Sequence, residues 1–177
     1  MTNICTPDQT YIDYKVTENF WFSELIQSDT ALKLGIDNTP TEDLKINLEN
    51  SCKYLFQPTR DILGKPVLAS SVFRSDKLNA AIGGASRNGK QTSAHCYGYA
   101  MDFKCPSFGD SFKIASYLVE QYKIKKIKFD QIICEYPGTP GSWVHIAWKS
   151  PSGAQRGQIL TAKKIKGKTQ YLSGLHK

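Results

Sequence analysis

Leu44, Leu48, Cys52, Leu55, Thr59 and Ile62 recur every three or four residues, a spacing that predicts one long amphipathic helix. Its start is marked by Asp37-Asn-Thr-Pro-Thr-Glu42, with Thr39 as N-cap, Pro40 at the first helical position and Glu42 completing a capping box. Gly64 and Pro66 signal its end. Pro58 lies inside the stretch and predicts a kink or a split, because it has no amide N–H and its ring crowds the preceding turn. Upstream, the apolar run from Asn19 to Ile26 covers one side of the core and leads into a short helix, whereas residues 1–16 show no period.

Beyond Pro66 the pattern turns strand-like. Pro66–Phe73 is rich enough in apolar and β-branched residues for a strand, and a short helix follows Ser75 and stops before Gly83-Gly84. Residues 83–92 read as a flexible loop by composition. Tyr97–Lys104 is extended, Asp110–Tyr122 helical, and Phe129–Tyr136 and Trp143–Lys149 are strands joined by the Pro-Gly-Thr-Pro-Gly turn. Gln158–Lys164 adds a last strand. Helices first and strands afterwards predict an α+β domain with a mostly antiparallel central sheet and flanking helices.

Length and composition set limits on this picture. A chain of 177 residues with 40% hydrophobic content fits one domain with a real core, and no apolar run approaches the roughly 20 residues of a membrane helix. The start, Met1-Thr-Asn-Ile-Cys, has neither a basic nor an apolar stretch, which predicts synthesis in the cytoplasm without a signal peptide. Five cysteines (Cys5, Cys52, Cys96, Cys105, Cys134) without CxxC spacing argue against a disulfide scaffold and a four-thiolate zinc site, and predict buried thiols. Seven of the 23 basic residues fall between Lys149 and Lys177, where there is no acid, so the net charge of +7 belongs to that segment. It suggests an anionic partner. Nothing resembling a recognition helix or a base-stacking motif accompanies it, so nucleic acid is an unsupported partner.

Histidine is scarce, with His95, His145 and His176 the full set. His95 stands seven residues before Asp102 in Ser93-Ala-His-Cys-Tyr-Gly-Tyr-Ala-Met-Asp102, and His145 lies on a strand in Ser142-Trp-Val-His145. Gly98 between the first two allows a tight backbone approach. Two imidazoles and one carboxylate form a three-ligand set for zinc that leaves a fourth position open, the arrangement of a catalytic ion.

The pattern Ser93-x-His95-x-x-Gly98-x-Ala100-x-Asp102, followed some forty residues later by Trp143-x-His145, resembles the D-alanyl-D-alanine carboxypeptidase family of zinc peptidases. That family includes many phage endolysins, and its fold group also holds lysostaphin-type enzymes and the hedgehog signalling domain. Asn19-Phe, Ser23-Glu-Leu-Ile, Asp37-Asn-Thr-Pro, Gly64-Lys-Pro and Ser71-Val-Phe-Arg-Ser-Asp-Lys-Leu-Asn79 look like its phage-type branch, so the likeness covers roughly residues 19–149. The resemblance implies an arm (1–18), a zinc peptidase domain (19–149) and a basic extension packed partly on it (150–177). It implies one zinc ion held by His95, Asp102 and His145, and Arg74 facing a substrate carboxylate or oxyanion. Ser93, Gln91 and Trp143 are further candidates for orienting ligands or substrate. The implied substrate is the peptidoglycan stem peptide, cut by a D,D-carboxypeptidase or L,D-endopeptidase. The implied setting is a phage-type lysin that reaches the wall after release or on a virion, with the basic segment on anionic wall polymers.

One position departs from the pattern. Many relatives carry an acid three residues before the last histidine, where this chain has Ser142. If residues 137–141 form the loop, Glu135 faces Trp143 and Ile133 faces His145, so Glu135 and His145 share a face while Asp130 points away. Glu135 is then the candidate general base. A catalytically inactive zinc-fold binding module is the alternative that the serine favours.

Overall fold

The computed structural model describes residues 13–177, so Cys5 and most of the predicted arm lie outside the described residues. In chain order the elements are β1 (Lys15–Thr17), β2 (Phe20–Trp21), α1 (Phe22–Ile26), α2 (Asp29–Leu34), α3 (Glu42–Ser51), a π-helical turn (Cys52–Phe56) and α4 (Gln57–Leu63). There follow β3 (Leu68–Ser71), α5 (Asp76–Ala81), β4 (Ser86–Arg87), β5 (Lys90–Gln91), a 3₁₀ turn (Ala94–Tyr97), β6 (Ala100–Lys104) and α6 (Ser111–Lys123). The chain closes with β7 (Gln131–Glu135), β8 (Trp143–Ala147), β9 (Gln158–Ile165) and β10 (Lys168–Ser173).

Six strands form the central sheet in the order β10-β9-β7-β8-β6-β3. Every pairing is antiparallel except β7 with β9, so the fold is α+β as the patterning predicts. Side chains alternate across the sheet. Met101, Phe103, Ile132, Cys134, Val144 and Ile146 point to one face and are fully buried in the main core. Helix α6 covers that core with Ile114, Ala115, Leu118 and Val119, and Asp110 caps it by accepting from the Lys113 amide at 2.8 Å. Each large apolar side chain removed from water there contributes about 1.5–3 kcal/mol. The intervening positions on the same strands point to the opposite face, where the chemistry lies.

The long helix differs from expectation at its start and its middle. It begins at Glu42, with Thr41 preceding it and no side-chain cap, because Asp37 accepts the Thr39 amide and holds Pro40 in the approach. Pro58 does not break the run. The upstream turn widens into a π-helix whose last bond joins the Gln57 N–H to the Cys52 carbonyl, and α4 continues from there. The widening turns Cys52, Leu55 and Phe56 fully inward and leaves Lys53 and Tyr54 outside.

Residues 83–92 are more ordered than their composition suggests. Ser86 pairs with Gln91 and Arg87 with Lys90 in a small hairpin turned by Asn88 (φ 51°) and Gly89 (φ 75°), the positive-φ pair that a two-residue hairpin needs. After the last predicted strand the chain turns once more, so residues 158–173 supply two strands to the central sheet. The four cysteines among the described residues are free and buried. No helix among those residues is long and apolar enough to cross a membrane.

Candidate metal centre

Four neighbouring strands bring the site together. Ser71 on β3 pairs with Asp102 on β6, Asp102 with His145 on β8, and His145 with Ile133 on β7. Residues paired directly across a sheet project to the same face, so Asp102 and His145 stand side by side. A bulge in β3 between Ala69 and Ser71 sets Ser71, not Ser70, opposite Asp102. His95 arrives from the 3₁₀ turn. That turn ends in Gly98 at φ 71°, and a Cβ there would stand 2.9 Å from the Leu44 carbonyl oxygen and 3.0 Å from the Leu48 nitrogen. The close approach that Gly98 permits is therefore to α3, not between His95 and Asp102.

The three donor atoms form a compact triangle. His95 Nε2 lies 3.3 Å from His145 Nδ1 and 3.3 Å from Asp102 Oδ1, and His145 Nδ1 lies 2.8 Å from Asp102 Oδ1. Ligands about 2.0–2.1 Å from a tetrahedral ion sit roughly 3.3 Å apart, so the set fits zinc. His95 is oriented for this role: its Nδ1–H donates to the Val72 carbonyl at 2.6 Å, which leaves the Nε2 lone pair facing the other two ligands. All three residues are buried, and among the described residues they are the group that can hold a metal.

Electrostatics follow from burial. Burial alone raises the Asp102 carboxyl, but the charges and hydrogen bonds of His95 and His145 overcome it and hold the group well below the usual carboxylate range. Burial lowers His95 below an ordinary histidine, against the pull of Asp102. Both shifts favour an anionic carboxylate and a neutral imidazole, the forms that bind a metal.

Arg74 leaves the end of β3 and turns onto the centre. Its Nε donates to Ser71 Oγ at 2.7 Å and its Nη2 to Asp102 Oδ2 at 2.5 Å, so it secures the carboxylate oxygen that the histidines do not use. Asn38 fixes the turn that carries Arg74. Its side chain accepts from the Ser75 amide at 2.7 Å and donates to the Phe73 and Ile26 carbonyls at 3.1 and 2.7 Å.

Glu135 pairs with Trp143 and lies diagonal to His145, in the register expected from the loop length. It is 7% exposed, and burial pushes its carboxyl up to about 7, with Asp102 adding to the rise and His145 and Arg74 opposing it. Asp130 is directed elsewhere, held by Arg156 in a two-pronged ion pair at 2.8 and 2.6 Å. Ser93 precedes the His95 turn and is nearly buried. Gln91 is held by the buried Asn79: its carbonyl oxygen accepts from Asn79 Nδ2 at 2.6 Å. Trp143 lies beside Glu135 with its ring 5.4 Å from that of Tyr136. His176 stands apart on the C-terminal segment, its Nε2 2.7 Å from the Ser173 carbonyl.

Tyr171 was not visible in the sequence as a site residue. It pairs with Ala162 on β9, which pairs with Glu135, so Tyr171, Ala162, Glu135 and Trp143 form one row on the site face. Ala162 stands between Tyr171 and Glu135 in that row. Tyr171 is more than half exposed, and the partial burial of its phenol raises the hydroxyl above an ordinary tyrosine, with the charges of Glu135, Tyr136 and Asp102 adding to the rise. A β-hairpin that follows the histidine motif is the only local signal that could have placed it.

A mostly antiparallel sheet carrying a buried His/Asp/His triangle, with an acid on the same face, is an arrangement that can hold a metal ion next to a proton acceptor. The family model for peptidase M15 matches residues 18–146, and the chain belongs to this family of zinc D-alanyl-D-alanine carboxypeptidase-type enzymes. No curated protein matches the chain.

Proposed function

We propose that the protein is a zinc peptidase that hydrolyses a peptide bond in the peptidoglycan stem, of the D,D-carboxypeptidase or L,D-endopeptidase type, and that it serves as a phage-type lysin at the bacterial wall. The observation that carries this reading is the donor triangle with edges of 3.3, 3.3 and 2.8 Å beside a buried Glu135. A zinc ion held by His95, Asp102 and His145 supplies Lewis acidity towards the scissile carbonyl and makes water a competent nucleophile near neutral pH.

The remaining work falls to the side chains. Glu135 accepts the proton of the attacking water and returns it to the leaving amine, a task suited to a buried carboxyl that shares a face with His145. Arg74 keeps Asp102 anionic and oriented through Nη2, and its Nη1 donors remain for a substrate carboxylate or the developing oxyanion. Trp143, Tyr136 and Tyr171 border the acid and wall the cleft on its side.

The test is hydrolysis of purified peptidoglycan and soluble muropeptides by the zinc-loaded protein, with released fragments read by mass spectrometry. Fragments that vanish in His145→Ala identify the enzyme and name the bond. Glu135→Gln abolishes release and retains zinc, and wild-type activity in that variant rules out its role as base. Ser142, at the position where many relatives have an acid, favours a second reading, an inactive zinc-fold binding module. Zinc bound in full with no fragment from any substrate establishes that reading instead.

A further inference from the structure

Off the opposite end of β7 and β8 from Glu135 lies a concave surface of ≈ 410 Å³, where Tyr54, Trp148, Lys125, Lys126 and Lys128 line the wall together with Pro58, Ile127 and Gln155 and no acidic side chain does. Trp148 stands three residues beyond His145, about 10 Å along the strand at 3.3 Å per residue. Tyr54 and Trp148 stack with centroids 5.5 Å apart and planes 23° apart. Lys53 Nζ lies 5.2 Å from the Tyr54 ring and Lys149 Nζ 4.2 Å from the Trp148 ring. Lys53 and Lys149 thus sit against the two rings while Lys125, Lys126 and Lys128 line the concavity beside them, five lysines drawn from the π-helical turn, the segment after α6 and the end of β8. None of them is in an ion pair among the described residues.

Local packing does not require this arrangement. The carboxyl end of α6 attracts a lysine or two through its dipole, but it does not explain Lys53, Lys128 and Lys149 meeting there. Lys125 holds φ at 61°, the position after a helix where glycine is the relaxed choice. The π-helical turn presents Lys53 and Tyr54 outward while Cys52, Leu55 and Phe56 stay buried, and such turns recur at functional sites. The charge asymmetry of the sequence also resolves differently in three dimensions. Arg156 of the basic C-terminal segment is neutralised by Asp130, whereas Lys149 joins four lysines from outside that segment.

We propose that this surface binds an anionic polymer of phosphodiester-linked polyol or sugar units, its phosphates on the five lysines and its CH groups against the edges of Tyr54 and Trp148. Each ring already carries a stacked ring and a cation, which reduces its open face. A nucleobase therefore has little to stack on. The choice of a wall polymer as occupant rests on the peptidoglycan reading, while the charge and shape of the surface do not. The surface would hold the protein at its substrate without taking part in hydrolysis.

The experiment is calorimetric titration of the zinc-loaded protein with purified poly(glycerol phosphate) and with a single-stranded oligonucleotide of equal charge, over a range of salt. The variants are Tyr54→Ser and the triple change Lys125→Gly, Lys126→Gln, Lys128→Gln, in which the glycine relieves the positive φ. The wild type is expected to bind the polymer more tightly than the oligonucleotide. The triple variant should bind about tenfold more weakly, with the slope of log K against log salt reduced by about two, as lost phosphate contacts require. Its zinc content and its hydrolysis of soluble muropeptides should be unchanged. No binding by the wild type, or equal binding by the triple variant, overturns the proposal, and a preference for the oligonucleotide replaces it with a nucleic-acid surface. Lysine-dependent polymer binding without muropeptide hydrolysis would keep this site and remove the peptidase reading.

Discussion

Glu135→Gln in the zinc-free protein is a direct probe of the site's electrostatics. Burial lifts the Glu135 carboxyl from an ordinary 4.5 to about 7, so the folded chain holds that proton more tightly than the unfolded chain does. The stabilisation from the bound proton is fully present below about pH 4.5 and is lost as pH rises through 7. A gap of about 2.5 pH units at about 1.4 kcal/mol per unit gives roughly 3 kcal/mol in all, of which about 2.5 kcal/mol disappears between pH 5 and pH 8. Glutamine has the same shape and does not titrate. Urea unfolding of both proteins with a chelator present, followed by tryptophan fluorescence, should therefore show a stability difference that moves in favour of the variant by about 2.5 kcal/mol from pH 5 to pH 8. The constant cost of a buried amide cancels in that comparison. A difference that stays within about 0.5 kcal/mol across the range would show that burial does not perturb this carboxyl. The electrostatic account of the metal-free site would then lose its basis.

Removing one ligand should remove the metal: His145→Ala is expected to fall from one zinc per chain to near zero by elemental analysis, whereas Glu135→Gln keeps its ion. Gly98→Ala combines a positive φ with backbone atoms at 2.9 and 3.0 Å, and should cost about 2–3 kcal/mol in urea unfolding; a loss under about 0.5 kcal/mol refutes the packing argument. Arg156→Ala strips the fully buried Asp130 carboxylate of its cation and should destabilise by about 2 kcal/mol, and adding Asp130→Asn should recover part of that in thermal denaturation. Tyr171→Ala should leave the melting temperature unchanged, because the residue is largely exposed, yet raise KM for stem peptides about fivefold. Unaltered kinetics would take Tyr171 out of the cleft wall.

Several features were legible in the sequence because they are local. The helical spacing from Leu44 to Ile62, the turn between β7 and β8 and the spacing of His95 and Asp102 each depend on residues close along the chain. Loop length alone fixed the register that puts Glu135 on the face of His145, since a strand has a period of two. The Asn88-Gly89 hairpin was equally local, but its two-residue strands are too short for a periodic signal.

Other features depend on contacts across the fold, and no local pattern encodes them. Pro58 predicts a disturbance in the helix, but whether the chain kinks or widens is decided by which side chains must reach the core, and the π-helical turn is what buries Cys52, Leu55 and Phe56 together. Gly98 is recognisable as a tight point, yet the backbone that approaches it belongs to a helix some fifty residues earlier. Net charge located a basic end, whereas the folded chain neutralises Arg156 and gathers five lysines, four of them from elsewhere, around Tyr54 and Trp148. The parallel pairing of β7 with β9 carries Tyr171 into the row of Glu135, through strands that lie beyond the histidine motif. The sequence by itself determined the candidate donor residues and the strands that bear Asp102 and His145. Strand order and helix packing decided their separations, their burial and their neighbours, because those depend on residues far apart in the chain meeting in space.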